Sequence, residues 1–280
     1  RAIALEPGFV EARSQLAAVL RALGRTADEI EQLDAIAALD PRPERHVALG
    51  LAHARGGRFD QAVVALGRAA ERFPEHPAPY VALGRLWLEA AEARGDRVAL
   101  RKAIEALEHA LGSGDDRSEV LTLFGRALYL SADYDLAEQV LREAAAKRPA
   151  DPLAFAYLAD AAERLGHLDD ARRALAGYRA LVGEGSPEAE ARAPAARLAD
   201  LALRAGELAA AVNWLRRAAE ARPEDPALLG RLARAAAAAG ELDLARDAVE
   251  RALQLRPGDA GLRALRRRLA APPAPSPSPS

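Results

Sequence analysis

The histidines are the residues of this chain whose type most readily supports catalysis or metal binding. There are five of them, and His46 and His53 lie seven positions apart. On one helix, seven residues rise about 10 Å, which is too far for both imidazoles to hold the same metal ion. No His-Glu-x-x-His segment occurs. The histidines therefore favour a packing role over a catalytic or metal-binding one.

Glycine spacing gives no sign of a phosphate or nucleophile site. The pairs Gly112/Gly114 and Gly183/Gly185 lack the further glycine, or the Gly-Lys-Ser/Thr sequence, of a phosphate-binding loop. No Gly-x-Ser-x-Gly occurs. The chain has no cysteine, which excludes thiolate nucleophiles, disulfides and cysteine metal sites. The sequence predicts no catalytic residue, no metal and no cofactor, and so a protein that is not an enzyme.

The composition favours helices. Half of the 280 residues are apolar but only 4% are aromatic, and the abundant Ala, Leu, Arg and Glu are good helix formers. A net charge of −2 gives no bulk attraction to nucleic acid or anionic membrane. No apolar run has the length of a membrane span. The bias toward Ala and Arg indicates a bacterial source, while the compartment stays open between cytoplasm and periplasm.

Small residues recur at a nearly fixed interval. Six alanines, predicted to lie in the second helix of successive hairpins, are 41, 34, 34, 40 and 34 positions apart: Ala62, Ala103, Ala137, Ala171, Ala211 and Ala245. Each is followed four positions later by Leu or Val. Each first helix carries a large residue followed by Gly or Ala, as in Leu49-Gly50 and Phe124-Gly125. This spacing predicts stacked helical hairpins, in which small residues let the two helices approach closely.

The pattern resembles the tetratricopeptide repeat family over nearly all of residues 1–271. The second repeat has residues typical of the family at six conserved positions: Leu49, Gly50, Ala62, Leu66, Ala69 and Pro74. The first conserved position of a repeat carries a large residue in the family, but in three repeats of this chain it is Arg13, His46 or Ala195. Glu29 stands where the family has Ala. The resemblance implies an all-α fold, a right-handed α-α superhelix of about seven helical hairpins plus a C-terminal capping helix. It also implies a protein–protein interaction scaffold.

The unit boundaries and two insertions follow from the same alignment. We expect units at 10–42, 43–76, 77–117, 118–151, 152–191, 192–225 and 226–259, a cap at 260–271 and a disordered Pro/Ser-rich tail at 272–280. A seven-residue insertion predicts longer helices in the third repeat. Near residues 183–187, Ser186 is predicted to cap a helix that begins at Pro187 and is kinked at Pro194. Residues 2–7 are typical of the end of a preceding helix, which predicts further sequence before Arg1.

The resemblance also implies where a partner binds. In this family the first helix of each unit lines a concave groove, which takes a protein or peptide ligand. The positions implied are Val47, Leu51, Val81, Arg85, Leu88, Thr122, Arg126, Tyr129, Asp160, Asp200 and Arg234. The groove face is then apolar with two arginines in repeats 2 to 4, acidic in repeats 5 and 6, and basic in repeat 7. Arg85 and Arg126 are predicted to bind a carboxylate. The Lys and Asn of the family's chaperone-tail clamp are absent from matching positions, which argues against that partner.

Other functions compete with the scaffold. The chain is alternatively the non-catalytic repeat arm of a larger enzyme such as a glycosyltransferase. RNA binding through arginine-rich helices is opposed by the near-zero net charge and the scarce aromatics. In the plainest interpretation, the inward residues are an ordinary solvated surface. The sequence leaves the partner's identity, the pathway and the oligomeric state open.

Overall fold

The computed structural model describes residues 2–270, and all of its regular structure is helical. The helices are α1 (Ala2–Leu5), α2 (Val10–Ala22), α3 (Thr26–Leu39), α4 (Pro43–Arg55), α5 (Phe59–Arg72), α6 (Pro77–Arg94), α7 (Arg97–Gly112), α8 (Ser118–Leu130), α9 (Tyr134–Ala146), α10 (Pro152–Leu165), α11 (Leu168–Val182), α12 (Pro187–Arg192), α13 (Ala195–Arg204), α14 (Leu208–Ala221), α15 (Pro226–Ala239), α16 (Leu242–Leu255) and α17 (Ala260–Ala270). No strand occurs in this described part, which confirms the all-α class. The predicted disordered tail, 272–280, lies outside it.

The chain divides into two compact units between Tyr157 and Leu158, within α10. In unit 1, the hairpins α2/α3, α4/α5, α6/α7 and α8/α9 each pack on the next. In unit 2, α11 packs on α13, and the hairpins α13/α14 and α15/α16 are followed by α17, which packs on α15 and α16. Each unit is thus built from successive helical hairpins, as the repeat spacing predicted.

Prolines mark the starts of first helices. Pro43, Pro77, Pro152 and Pro226 begin α4, α6, α10 and α15. A first helical position suits proline because its N–H would have no partner there and its φ is already helical. At α15 the preceding residue, Asp225, is the N-cap, because its carboxylate accepts hydrogen bonds from the amides of Ala227 and Leu228 at 2.9 and 3.2 Å.

The turn between the two helices of a hairpin needs one residue with positive φ. Glycine supplies it in six turns, at Gly24, Gly57, Gly95, Gly166, Gly206 and Gly240. Between α8 and α9 the residue is Ala132, with φ of +67°. An L-residue with a Cβ pays about 1–2 kcal/mol for this conformation. The turn geometry therefore persists even where the sequence lacks its usual glycine.

The small and large residues of the repeat meet inside the hairpins. A Cβ placed on Gly50 would lie 2.5 Å from Leu66 Cδ2, and Gly125 faces Leu141 in the same way. Leu66 and Leu141 are fully buried. The glycines thus let the first helix approach a leucine of the second helix, which is the reason for the spacing that the sequence shows.

The two insertions have different structural results. Helices α6 and α7 have 18 and 16 residues, against 13 and 14 for α4 and α5, so the third hairpin is lengthened as predicted. Near the second insertion Ser186 does cap α12, accepting a hydrogen bond from the Ala189 amide at 3.1 Å, and Pro187 begins that helix.

The kink predicted at Pro194 is wrong, because the helix breaks there completely. Helix α12 ends at Arg192 and α13 starts at Ala195, with extended backbone at Pro194. A residue before proline avoids the helical region. The carbonyl of that residue, Ala193, accepts a hydrogen bond of 2.8 Å from the buried Arg179 side chain, so the break leaves it satisfied.

Candidate functional site

The first helices of unit 1 line two clefts that meet at Arg85 and Glu89. The first cleft, between α4 and α6, has a volume of about 560 Å³ and an apolar floor that includes Leu51, Phe59 and Leu86. The second, between α6 and α8, has about 220 Å³. We call the two clefts together the inner groove. Five of the predicted partner-binding residues line it: Leu51, Arg85, Leu88, Thr122 and Arg126.

Several predicted residues lie beneath this surface. Val81, Leu88 and Thr122 are 9%, 1% and 3% exposed. The Thr122 hydroxyl donates to the Ser118 carbonyl at 2.7 Å, so its polar atom already has a partner. Val47 is half-buried against neighbouring apolar side chains. These residues shape the floor, and the accessible surface belongs to the residues around them.

The two arginines predicted to bind a ligand carboxylate already hold carboxylates of this chain. Arg85 pairs with Glu119, and Arg126 pairs with Glu92 through two nitrogens. In both pairs the partners are 34 residues apart, one on α6 and the other on α8. The pairs thus join equivalent first helices of successive hairpins. Reasoning from single positions missed these pairs, because they depend on how α6 and α8 face each other.

The rim of the first cleft is basic. Arg21, Arg55, Arg85 and Arg94 line it, with Glu89 as the single acid among its lining residues. Arg55 pairs with the buried Glu29 at 2.5 Å, and the Arg94 guanidinium lies 5.6 Å from the Phe59 ring centroid. The structure shows no ion pair for Arg21 within residues 2–270. Because Arg55 and Arg85 are paired with carboxylates of the chain, Arg21 and Arg94 leave the apolar cleft with a small excess of positive charge over Glu89.

Aromatic rings surround the predicted residue Tyr129. Its ring centroid lies 5.5 Å from that of Tyr134 and 6.2 Å from that of Tyr157. The Arg126 guanidinium lies 5.5 Å from the centroid of Tyr157. Tyr134 and Tyr157 were missed in the sequence because they occupy positions outside the implied groove pattern.

In unit 2 the predicted acidic surface is neutralised, which corrects the expectation of an acidic stretch. Asp160 accepts hydrogen bonds of 2.7 Å from both Arg192 and Arg197. Asp200 pairs with Arg231. The exposed Arg234 has no ion pair within the described residues. The arginines that neutralise the acids lie on other helices, α12, α13 and α15, so the inward positions alone could not show them.

Glu163 belongs to the same network. Its carboxylate accepts hydrogen bonds from Arg197 at 2.9 Å and Arg204 at 2.6 Å. Burial alone would raise the pKa of Glu163, but these bonds and the two positive charges outweigh burial and hold the pKa below its ordinary value. The group is thus ionised and fully engaged at neutral pH.

Models of the tetratricopeptide repeat family match residues 43–86, 122–189 and 202–269, well over half of the chain. The chain belongs to the tetratricopeptide repeat family. In this family the fold is generally a non-catalytic scaffold that binds proteins or peptides. Within the part of the chain that the structure describes, no helix combines the length and apolarity needed to cross a membrane.

Solved tetratricopeptide repeat structures share the fold. The C-terminal part of a repeat protein from Cytophaga hutchinsonii aligns with a TM-score of 0.59 at 15% identity, covering 90% of this chain and 98% of that one. A Parabacteroides merdae repeat protein gives 0.55 at 16%, covering 93% and 98%. Pseudomonas aeruginosa pilF gives 0.50 at 22%, covering 81% and 97%. These identities establish the fold alone. A search of the curated proteins finds no match.

Proposed function

We propose that this tetratricopeptide repeat chain is a protein-interaction scaffold that binds a peptide segment of its partner in the inner groove of unit 1. The observation that carries the proposal is the first cleft, where four arginines stand around an apolar floor. Its volume of about 560 Å³ lies within the range of known ligand pockets. The ligand chemistry that fits is an apolar side chain flanked by an acidic one.

The arginine pairs of the groove do not prevent such binding. The side chains of Arg85 and Glu119 are 44% and 52% exposed, and exposed ion pairs contribute only about 0–1 kcal/mol. An incoming carboxylate can therefore replace Glu119 on Arg85 at little cost. The planar guanidinium then offers two parallel hydrogen bonds, which favours a carboxylate over a neutral acceptor.

The test is charge reversal in the groove. We expect Arg85→Glu with Arg126→Glu to weaken capture of acidic, apolar peptides from a synthetic array by at least tenfold, without loss of the helical circular dichroism signal. The matched control reverses two exposed arginines of unit 2, Arg173 and Arg216, and should leave capture unchanged.

A second variant separates binding from the lost intramolecular pair. Arg85→Glu with Glu119→Arg restores an ion pair between α6 and α8 but changes the charge pattern along the groove. We expect this variant to fold as the wild type does and to bind acidic peptides with an affinity that differs from that of the wild type. Equal capture by the wild type and the Arg85→Glu/Arg126→Glu variant would refute binding in this groove.

A further inference from the structure

Three tyrosines of unit 1 form an aromatic surface beside the inner groove. The ring centroid of Tyr129 lies 5.5 Å from that of Tyr134 and 6.2 Å from that of Tyr157. All three residues are half-buried, so part of each remains accessible, and we call them together the tyrosine surface. We propose that the tyrosine surface binds the proline-rich segment of this chain, residues 272–280. This proposal does not rest on the binding of acidic peptides in the inner groove.

The tyrosine surface occupies the place in its hairpin that the first cleft occupies two hairpins earlier. Each tyrosine stands 75 positions after a residue that lines the first cleft, and these lining residues are Ala54, Phe59 and Ala82. The equivalent core alanines of the two hairpins, Ala62 and Ala137, are also 75 positions apart. Two alanines of the cleft are thus replaced by tyrosines, which makes the equivalent inner surface of α8, α9 and the first part of α10 aromatic.

The charges near the rings favour a ligand without charged side chains. The Arg126 guanidinium lies 5.5 Å from the centroid of Tyr157, but it is bound to the Glu92 carboxylate through two nitrogens. Asp133 and Asp135 flank the first residue of α9 in the sequence, so they add negative charge at that end. Residues 272–280 comprise five prolines, three serines and one alanine, and a ligand of this composition needs no ionic partner.

Proline suits tyrosine rings for a general chemical reason. The face of an aromatic ring is the negative side of its quadrupole, and it attracts the polarised C–H groups beside the proline nitrogen. Proline-rich segments accordingly dock on aromatic-lined grooves in several kinds of recognition domain. Because the proline ring fixes φ, such a segment also loses less conformational freedom on binding than an ordinary peptide does.

The spacing of the rings fits a proline-rich segment in the polyproline II conformation. This helix has three residues per turn and rises about 3.1 Å per residue, so two prolines two positions apart lie on neighbouring edges and about 6 Å apart along the axis. The segment contains such pairs at Pro275/Pro277 and Pro277/Pro279. Their spacing matches the 5.5 and 6.2 Å that separate the Tyr129 ring from the other two. Successive prolines can therefore pack against successive rings.

The first experiment tests the ligand. The labelled, capped peptide Pro-Pro-Ala-Pro-Ser-Pro-Ser-Pro-Ser is titrated in fluorescence anisotropy with the full chain, whose own five prolines at 272–280 are replaced by serine to remove competition. We expect saturable binding that weakens about tenfold or more when the prolines of the peptide are replaced by serine, because the ring contacts are lost. The control peptide keeps its prolines and carries alanine for serine, and should bind as before. No binding, or equal binding with and without prolines, would overturn the proposal.

The second experiment tests the surface in the same full chain. Tyr129→Leu keeps an apolar side chain but removes the central ring, and should weaken binding about tenfold or more, whereas Tyr129→Phe should keep it. The matched control is Tyr80→Leu, since Tyr80 is a half-buried tyrosine of unit 1 that stacks on His109 instead, with ring centroids 3.8 Å apart. Circular dichroism verifies that each variant is folded. Full binding by Tyr129→Leu, or an equal loss in Tyr80→Leu, would overturn the proposal.

A third measurement separates this surface from the inner groove and shows which copy supplies the segment. Arg85→Glu should leave binding of the proline peptide unchanged, and a loss there would overturn the proposal by placing the peptide in the inner groove. A monomeric wild type that binds the free peptide more weakly than the chain with serines at 272–280 would show that each chain binds its own segment. Self-association that requires the five prolines would assign the segment to a second copy. A monomeric wild type that binds the peptide as tightly as the serine-substituted chain would overturn the proposal.

Discussion

Gly84 and Leu107 are in such close contact that no side chain fits between them. A Cβ placed on Gly84 would lie 2.5 Å from Leu107 Cγ, and Leu107 is fully buried. Since Cγ is the branch point of the leucine, it cannot move aside without displacing the whole side chain. The backbones of α6 and α7 are thus held at a separation that only glycine allows.

We therefore expect Gly84→Ala to lower the free energy of unfolding. The overpacking costs about 1–3 kcal/mol, more than the roughly 0.5–1 kcal/mol that alanine gains over glycine in a helix. The matched control is Gly67→Ala in α5, where an added Cβ meets nothing within 4 Å, so only the gain should appear. Urea denaturation of both variants measures the difference. A stabilised Gly84→Ala would show that the hairpin relaxes freely.

The turn between α8 and α9 offers a stabilising substitution. Ala132 has φ of +67°, where glycine avoids the steric cost of about 1–2 kcal/mol. Ala132→Gly should therefore raise the free energy of unfolding by up to about 1 kcal/mol, after the entropic cost of glycine. The reverse change at an equivalent turn, Gly166→Ala, should lower it by a similar amount. Thermal midpoints that move in the same direction in both variants would contradict this account.

Arg179 holds the segment that contains the second insertion. Its side chain is 3% exposed and donates to Glu190 at 2.6 Å and to the Ala193 carbonyl at 2.8 Å. Arg179→Met should cost about 3 kcal/mol, the low end for breaking a buried pair, because Glu190 is itself partly exposed. Hydrogen exchange should show loss of protection at the Ala193 amide first.

A matched control separates this effect from the loss of any arginine. Arg173 is 70% exposed and pairs with Asp170 within α11. Arg173→Met should change the free energy of unfolding by about 0.5 kcal/mol or less. Equal losses in the two variants would mean that Arg179 contributes no more than an exposed side chain.

The stability of unit 2 should depend on pH through Glu163. Its folded-state pKa lies below the ordinary 4.5, so the stabilisation is present above that value and is lost as the pH falls through the lower folded-state pKa. Glu163→Gln should be less stable than the wild type at pH 7. Its free energy of unfolding should also fall less steeply below about pH 4.5. Parallel pH profiles for the two proteins would disprove a role for this carboxylate.

The fold was predictable because its signals are local and repeated. The pairs of small and large residues, such as Gly50 with Leu66, and the first-position prolines recur at fixed intervals, and each reports a contact within one hairpin. Ala132 shows the limit of this reasoning. The turn at Ala132 has no glycine in the sequence, so only the spacing of the neighbouring repeats indicates that a turn is required there.

The candidate site was less predictable because it depends on contacts between hairpins. Arg85 and Arg126 line the two clefts, but their pairing with Glu119 and Glu92 follows from how successive first helices face each other. Asp160 was expected to make its surface acidic, yet Arg192 reaches it from the inserted helix α12, which has no equivalent in the other hairpins.

The two ion pairs between α6 and α8 limit which hairpins can be exchanged. Arg85 meets Glu119 only when the fourth hairpin follows the third, and Arg126 likewise requires Glu92 on the first helix of the preceding hairpin. A duplicated third hairpin would instead place Ala78 at the position of Glu119, opposite Arg85. Although the hairpins share one geometry, the third and fourth are therefore not interchangeable with copies of each other, and a change in their order would lose both ion pairs.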